Sequence, residues 1–204
     1  TAITTGVQNT LIGGLAGDAI TTGNYNLAIG HQALSATTTA NYNVAVGRSA
    51  LFTNILGSHS TAIGISALET QNYATATAAY NVAVGHEAGL SVTTGIQNTF
   101  IGGLAGDANT TANNNTAVGK SSLSATTTGG ENTAVGTNAL ATNTTASNNT
   151  AVGTNALKVN TTGTSNVAVG ALALDANTTA SNNTAVGYAA GTAITTGTQN
   201  TLIG

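Results

Sequence analysis

Cysteine, proline, methionine and tryptophan are absent from this sequence, and charge is nearly so: three Lys or Arg and six Asp or Glu in 204 residues. Each absence removes a class of answer. Without Cys there is no disulfide framework and no thiolate zinc site. Three cations and a net charge of −3 cannot build the clustered basic surface that nucleic acid binding needs. No apolar run approaches the ~18 residues of a membrane-spanning helix. Neither nucleic acid nor a membrane span is therefore expected. The chain has no signal peptide and no initiating Met, which predicts a processed, excised or partial chain. Asn, Thr, Ala and Gly dominate what remains. Val, Ile and Leu recur among them on a strict schedule, which predicts order, because disordered chains avoid those residues.

The schedule is a repeat. Its core reads Asn, then Thr or Val, usually Ala, then Val or Ile, then Gly. The stretch NTAVGTNAL occurs unchanged at Asn132–Leu140 and Asn149–Leu157. The core glycine falls at Gly13, Gly30, Gly47, Gly64, Gly85, Gly102, Gly119, Gly136, Gly153, Gly170, Gly187 and Gly204. Ten of the eleven intervals are seventeen residues; Gly64 to Gly85 is twenty-one, which puts a four-residue insertion within 68–80. Twelve copies fill residues 1–204 and predict a single repeat solenoid with no second domain.

The β-branched core favours a strand and its Gly permits a sharp bend. Seventeen residues are too few for a strand, a packed helix and both connections. They suit one coil of an all-β parallel β-solenoid, or β-roll, of about twelve coils. Neighbouring coils then pair in parallel about 4.8 Å apart, and like stacks on like. The Asn opening the core stands at Asn9, Asn26, Asn43, Asn81, Asn98, Asn115, Asn132, Asn149, Asn166, Asn183 and Asn200, with Ser60 as the exception. Such a structural column can form a side-chain amide ladder and hold the turn. The residue after Thr-Thr alternates between Gly and Ala, from Gly23 and Ala40 through Ala180 and Gly197. Two readings stay open: alternate coils use two turn types, or one solenoid turn takes two repeats.

Strand side chains alternate faces. In Thr133-Ala134-Val135 the outer two point one way and Ala the other, and Val167-Ala168-Val169 is apolar on both faces. A strand exposed on one side should carry a polar row there. One face can cover the coil interior; the other needs a second cover, most simply another copy of the chain. A lengthwise homo-oligomer is therefore expected.

The run N-[VT]-A-[VI]-G-x-x-A, seen most fully in Asn81–Ala88 and in Asn166–Gly170, resembles the head repeats of trimeric autotransporter adhesins and related phage tail-fibre repeats. The likeness extends over all twelve copies. It implies a left-handed parallel β-roll, a homotrimer formed through the inner strands, and binding to host surfaces, with a glycan as one class of ligand. The repeats here are longer, by the added Thr-Thr-Gly/Ala segment.

Chemistry is sparse. His31 and His86 share the position after the core Gly with Arg48, Lys120, Thr137 and Tyr188, a mixed column of the kind that faces solvent. They lie three coils apart, roughly 14 Å at ~4.8 Å per coil, too far to share a metal within one chain. A three-fold His ring at a trimer axis is the sharper alternative, and Arg48 and Lys120 argue against it. Asp18, Asp107 and Asp175 share another position, four or five coils apart, and form no carboxylate pair. Ile12–Gly17 (IGGLAG) resembles a phosphate loop only faintly, with no Lys-Ser/Thr and no helix after it. No catalytic residue, cofactor or metal is expected, so the chain reads as a non-enzyme. Seven Asn-x-Ser/Thr sequons, at Asn109, Asn114, Asn143, Asn148, Asn160, Asn177 and Asn182, are candidate glycosylation sites.

These features predict an extracellular structural or adhesive fibre segment at a cell or virion surface: an adhesin head, a phage tail fibre or an environmental filament. The alternative is a surface-binding solenoid such as an ice-binding protein using Thr rows. Residues 1–13 and 192–204 match at twelve of thirteen positions. That match predicts a longer tandem array or a protomer that stacks head to tail into a filament.

Overall fold

Each NTAVG core forms a three-residue strand, and the glycine that follows turns the chain. The computed structural model describes residues 4–204; Thr1, Ala2 and Ile3, which open the N-terminal end-match segment, lie outside the described residues. Fourteen short strands run in order: β1 (Thr10–Ile12), β2 (Leu27–Ile29), β3 (Val44–Val46), β4 (Gly57–Ser58), β5 (Thr61–Ile63), β6 (Thr77–Ala78), β7 (Val82–Val84), β8 (Thr99–Ile101), β9 (Thr116–Val118), β10 (Thr133–Val135), β11 (Thr150–Val152), β12 (Val167–Val169), β13 (Thr184–Val186) and β14 (Thr201–Ile203). Among the described residues there is no helix. Twelve strands make one parallel sheet in chain order, and β4 pairs with β6 in a second, two-stranded sheet.

Register settles the turn length. Thr133 pairs with Thr150 and Ala134 with Ala151, each seventeen residues on, and the same offset holds wherever the insertion does not intervene. One repeat is therefore one turn, and the twelve core strands bound eleven complete turns of the parallel β-solenoid. At the insertion the offset becomes twenty-one, with Thr61 paired to Val82. Gln71 still bonds to Asn54 at an offset of seventeen, while Thr77 N–H donates to Leu56 C=O at twenty-one. The four extra residues thus fall between Gln71 and Thr77.

The bends depend on unusual backbone. The core glycines hold φ between 127° and 141°, a region that a side chain resists. Stacking adds a second reason. A Cβ on Gly119 would stand 2.6 Å from the carbonyl carbon and oxygen of Gly136 in the next coil. Several glycines of the Gly/Ala column are crowded as well. A Cβ on Gly23, Gly95, Gly129 or Gly163 would collide with the carbonyl oxygen of the Ala in the coil above. A Cβ on Gly6 would meet the Gly23 carbonyl oxygen in the same way, so the crowding comes from the neighbouring backbone.

The core is thin and built of layers. Each coil contributes an inward strand Ala, such as Ala134 or Ala151, a second Ala, such as Ala139, and a Leu, such as Leu140, all fully buried. Where the Leu is replaced by Gly, a larger residue comes from the strand. Phe100 fills the space over Gly89 and Gly106, and Leu11 that over Gly17. Burial of the strand Ala leaves Thr133 half-buried and Val135 exposed on the opposite face.

Candidate functional site

The sheet turns one whole face outward. Two files of side chains run along it, one from each strand's first residue and one from its third. The first file alternates stretches of Leu or Val, as in Leu27, Val44, Val82 and Val167, with Thr, as in Thr116, Thr133 and Thr150. The second holds only Ile and Val, from Ile12 through Val135 to Ile203, and neither file contains a charge. Along β10–β12 the second file keeps an even exposure, 36% at both Val135 and Val152 and 37% at Val169, while Val84 and Val118 before it are half-buried. A β-sheet face in water normally carries polar or charged residues, and a continuous apolar strip is uncommon on a lone soluble chain. The face spans roughly 50 Å at ~4.8 Å per coil.

Behind this sheet the core asparagines hold its edge. Each Oδ1 accepts the backbone N–H of the next ladder residue, as Asn132 Oδ1 does from Asn149 N at 3.0 Å. The same oxygen often takes the next Nδ2 as well, 3.3 Å at that step. Each Nδ2 also reaches across the coil to a carbonyl fourteen residues on: Asn115 to Gly129 at 2.8 Å, Asn132 to Ala146 at 2.9 Å. The amide therefore joins coil to coil and one wall to the other. Asn43 through Asn183 are buried at this column.

The ladder is interrupted at Ser60 and repaired from the insertion. Gln71 Nε2 donates to Ser60 Oγ at 3.0 Å, and Gln71 Oε1 accepts from Asn81 Nδ2 at 2.9 Å. Tyr73, in the inserted segment, folds inward, and its hydroxyl donates to Gly95 C=O at 2.8 Å. Burial pushes its phenol up to about 12, with the Asn81 bond pulling the other way.

A second internal polar column, hidden from the sequence reading, contains Thr37, Asn54, Gln71, Asn109, Thr126, Asn143, Asn160 and Asn177, all fully buried. Asn160 Nδ2 donates to Asn143 Oδ1 at 3.2 Å, and Asn177 Nδ2 to Asn160 Oδ1 at 3.2 Å. Ile194 follows in this column, and Asn177 Oδ1 ends the run without a partner. The seventeen-residue recurrence of Asn143, Asn160 and Asn177 was the available signal.

This column divides the sequons. Asn109, Asn143, Asn160 and Asn177 point into the core, and a glycan on their amides has no room in this fold. Asn114, Asn148 and Asn182 are exposed at turns. Glycan attachment is thereby narrowed from seven candidate sites to these three.

The remaining polar candidates stay apart. His31, Arg48, His86, Lys120 and Tyr188 are exposed along one corner, and His86 Nε2 lies 3.6 Å from the carboxylate of its neighbour Glu87. Asp18, Asp107 and Asp175 are half-buried. Burial raises the Asp107 carboxyl above the usual range; its own backbone N–H opposes this and Glu87 reinforces it. Among the described residues no three His, Cys, Asp or Glu side chains are grouped to hold a metal. Ile12–Gly17 forms the end of β1 and the bend after it, with Gly17 packed beneath Leu11 rather than opening a helix. No helix among the described residues is long and apolar enough to cross a membrane. Comparison with known proteins finds no family model, no curated protein and no solved structure that matches the chain.

Proposed function

We propose that this chain is a structural segment of an extracellular fibre, in which copies lie side by side and bury the outer sheet face against one another. The carrying observation is the pair of uncharged files, Thr/Val/Leu and Ile/Val, that line this face over all twelve core strands. Covering them stabilises association by about 25 cal/mol per Å² of apolar surface removed from water. In-register coils make the face periodic, so each contact recurs coil after coil and alignment along the whole length is favoured. The likeness of N-[VT]-A-[VI]-G-x-x-A to adhesin-head and tail-fibre repeats favours three chains around the axis and an adhesive role at a cell or virion surface. The chain then acts by assembly and display, not by catalysis. Small-angle X-ray scattering on the full chain tests this through the cross-sectional radius of gyration. A cross-section of several solenoids supports the proposal, and that of a single thin solenoid over a wide range of concentration defeats it.

One observation favours a second reading. Thr116, Thr133 and Thr150 stand in register on the outer face, two residues from Val118, Val135 and Val152. Rows of β-branched hydroxyl and methyl groups repeating at the coil rise suit an ordered water or ice surface. This reading needs the face to be free of partners. Thermal hysteresis from a monomeric sample would favour it over lengthwise assembly.

A further inference from the structure

Four aromatic rings stand in one file on the solvent side of the solenoid. Tyr25 and Tyr42 have centroids 4.9 Å apart and planes within 4° of parallel. His59 follows at 5.0 Å and Tyr80 at a further 5.0 Å. Each stands just before the ladder position, which is Asn after the tyrosines and Ser60 after His59. The tyrosines remain 47%, 52% and 54% exposed, so stacking does not hide them. Rings in contact lie ~3.5–4.0 Å apart. Tyr25 and Tyr42, parallel at a longer interval, must be offset like shingles, whereas His59 is inclined 27° to Tyr42 and Tyr80 35° to His59, so each ring leaves part of its face and edge to solvent.

The turn does not require aromatic residues. All four sit at left-handed backbone, φ 57°, 59°, 62° and 51°. The same column later holds Asn114, Glu131, Asn148, Ser165 and Asn182 at φ 58° to 63°. Asn is the side chain that tolerates this conformation best after Gly, and a bulky ring tolerates it poorly. Three of the chain's five tyrosines therefore occupy turns where Asn would fold more easily. The backbone that carries the first three rings is tied to the preceding coil, and the rings are stacked on one another. Tyr25 N–H donates to Val7 C=O, Tyr42 N–H to Asn24 C=O and His59 N–H to Asn41 C=O, each at 3.1 Å. A rigid aromatic surface loses little freedom when it binds.

The geometry points to a binding strip for elongated, flat conjugated molecules, lying along the solenoid axis across Tyr25, Tyr42, His59 and Tyr80. The strip is roughly 15 Å long at one coil rise per ring. A planar ligand laid along it meets ring edges and uncovered faces at successive coils, the offset and edge-to-face arrangements that aromatic groups prefer. A compact single ring would meet only one or two. The polar second half of the column gives the strip a defined end.

The test uses the full chain and thioflavin T, a flat elongated dye, followed by fluorescence titration. Saturable binding at one site per chain is expected, weakened about tenfold or more in Tyr42→Asn, which breaks the file in the middle. Tyr42→Asn installs the residue the same turn uses at Asn114, so the solenoid should fold; an unchanged circular dichroism spectrum checks this. Tyr42→Phe should bind like the parent, because ring and not hydroxyl makes the contact, and Tyr188→Ala, at a corner outside the file, should have no effect. Absence of binding to the parent chain, equal binding by Tyr42→Asn, or equal loss in Tyr42→Phe and Tyr42→Asn would each overturn the assignment.

Discussion

Replacing Asn115 by Ala probes the amide ladder at a fully internal step. Asn115 Oδ1 accepts the Asn132 backbone N–H at 2.9 Å, and Asn115 Nδ2 donates to Gly129 C=O at 2.8 Å. Both partners are buried. Asn115→Ala leaves the Asn132 backbone N–H and the Gly129 carbonyl without their side-chain partner, each costing ~1–3 kcal/mol, and also removes the 3.2 Å bond from Asn132 Nδ2, which keeps its bond to Ala146 C=O. Removal of the amide's own desolvation offsets part of this, giving a net loss of about 2–4 kcal/mol. Asn115→Asp should be at least as damaging: it can still accept from Asn132, but it presents a carboxylate to the Gly129 carbonyl. The control is Asn114→Gly, one residue away at an exposed turn with φ 60°; it should stay within ~0.5 kcal/mol of the parent. Urea denaturation followed by circular dichroism measures the difference, and hydrogen exchange at the Asn132 amide locates it. Equal stability of Asn115→Ala and Asn114→Gly would refute the reasoning that the ladder holds the coils.

Three further outcomes follow from the packing. Gly119→Ala, at φ 132° and 2.6 Å from the next coil's backbone, should cost at least ~2 kcal/mol in thermal or urea unfolding. Phe100→Ala should cost ~3–5 kcal/mol and Gly106→Ala, which drives a Cβ into the Phe100 ring, ~1–3 kcal/mol. The double variant should fall short of their sum by ~1 kcal/mol or more in a double-mutant cycle. Tyr73, whose phenol is pushed up to about 12 by burial, ionises later in the folded chain than in the unfolded one. Its contribution is intact below about pH 10 and is lost as pH rises toward 12, so the unfolding midpoint should fall through that window, and less steeply in Tyr73→Phe.

The turn was legible because the core repeats almost unchanged. A fixed seventeen-residue offset is both a sequence period and the pairing register of Ala134 with Ala151. The Asn column was visible for the same reason. Residues that share a column without sharing a type were not. Ile20, Thr37, Asn54, Gln71 and Val92 occupy one internal column but pass from apolar to polar and back, so the recurrence of Asn143, Asn160 and Asn177 is the one stretch of it that a period displays. Tyr25, Tyr42, His59 and Tyr80 form a file across the twenty-one-residue interval, where the change of offset hides the alignment. The exchange of Leu for Gly at Gly106 against Ala for Phe at Phe100 is likewise a volume balance across space, which no local pattern records. Four of the seven sequons point inward because Asn-Thr-Thr, as in Asn143–Thr145, satisfies the internal column and the turn at once.

The central claim is that the outer face is buried between copies. Sedimentation equilibrium of the parent chain and of Val135→Lys/Val152→Lys, over a range of concentrations, tests it most directly. Both substitutions lie on the exposed second file and leave the coil interior untouched. The account predicts a parent mass at an integral multiple of the 19.7 kDa chain, three by the resemblance, and a variant at 19.7 kDa with the same β-sheet circular dichroism. A parent that remains at the mass of one chain at every concentration, or a doubly charged variant that assembles as the parent does, would contradict it.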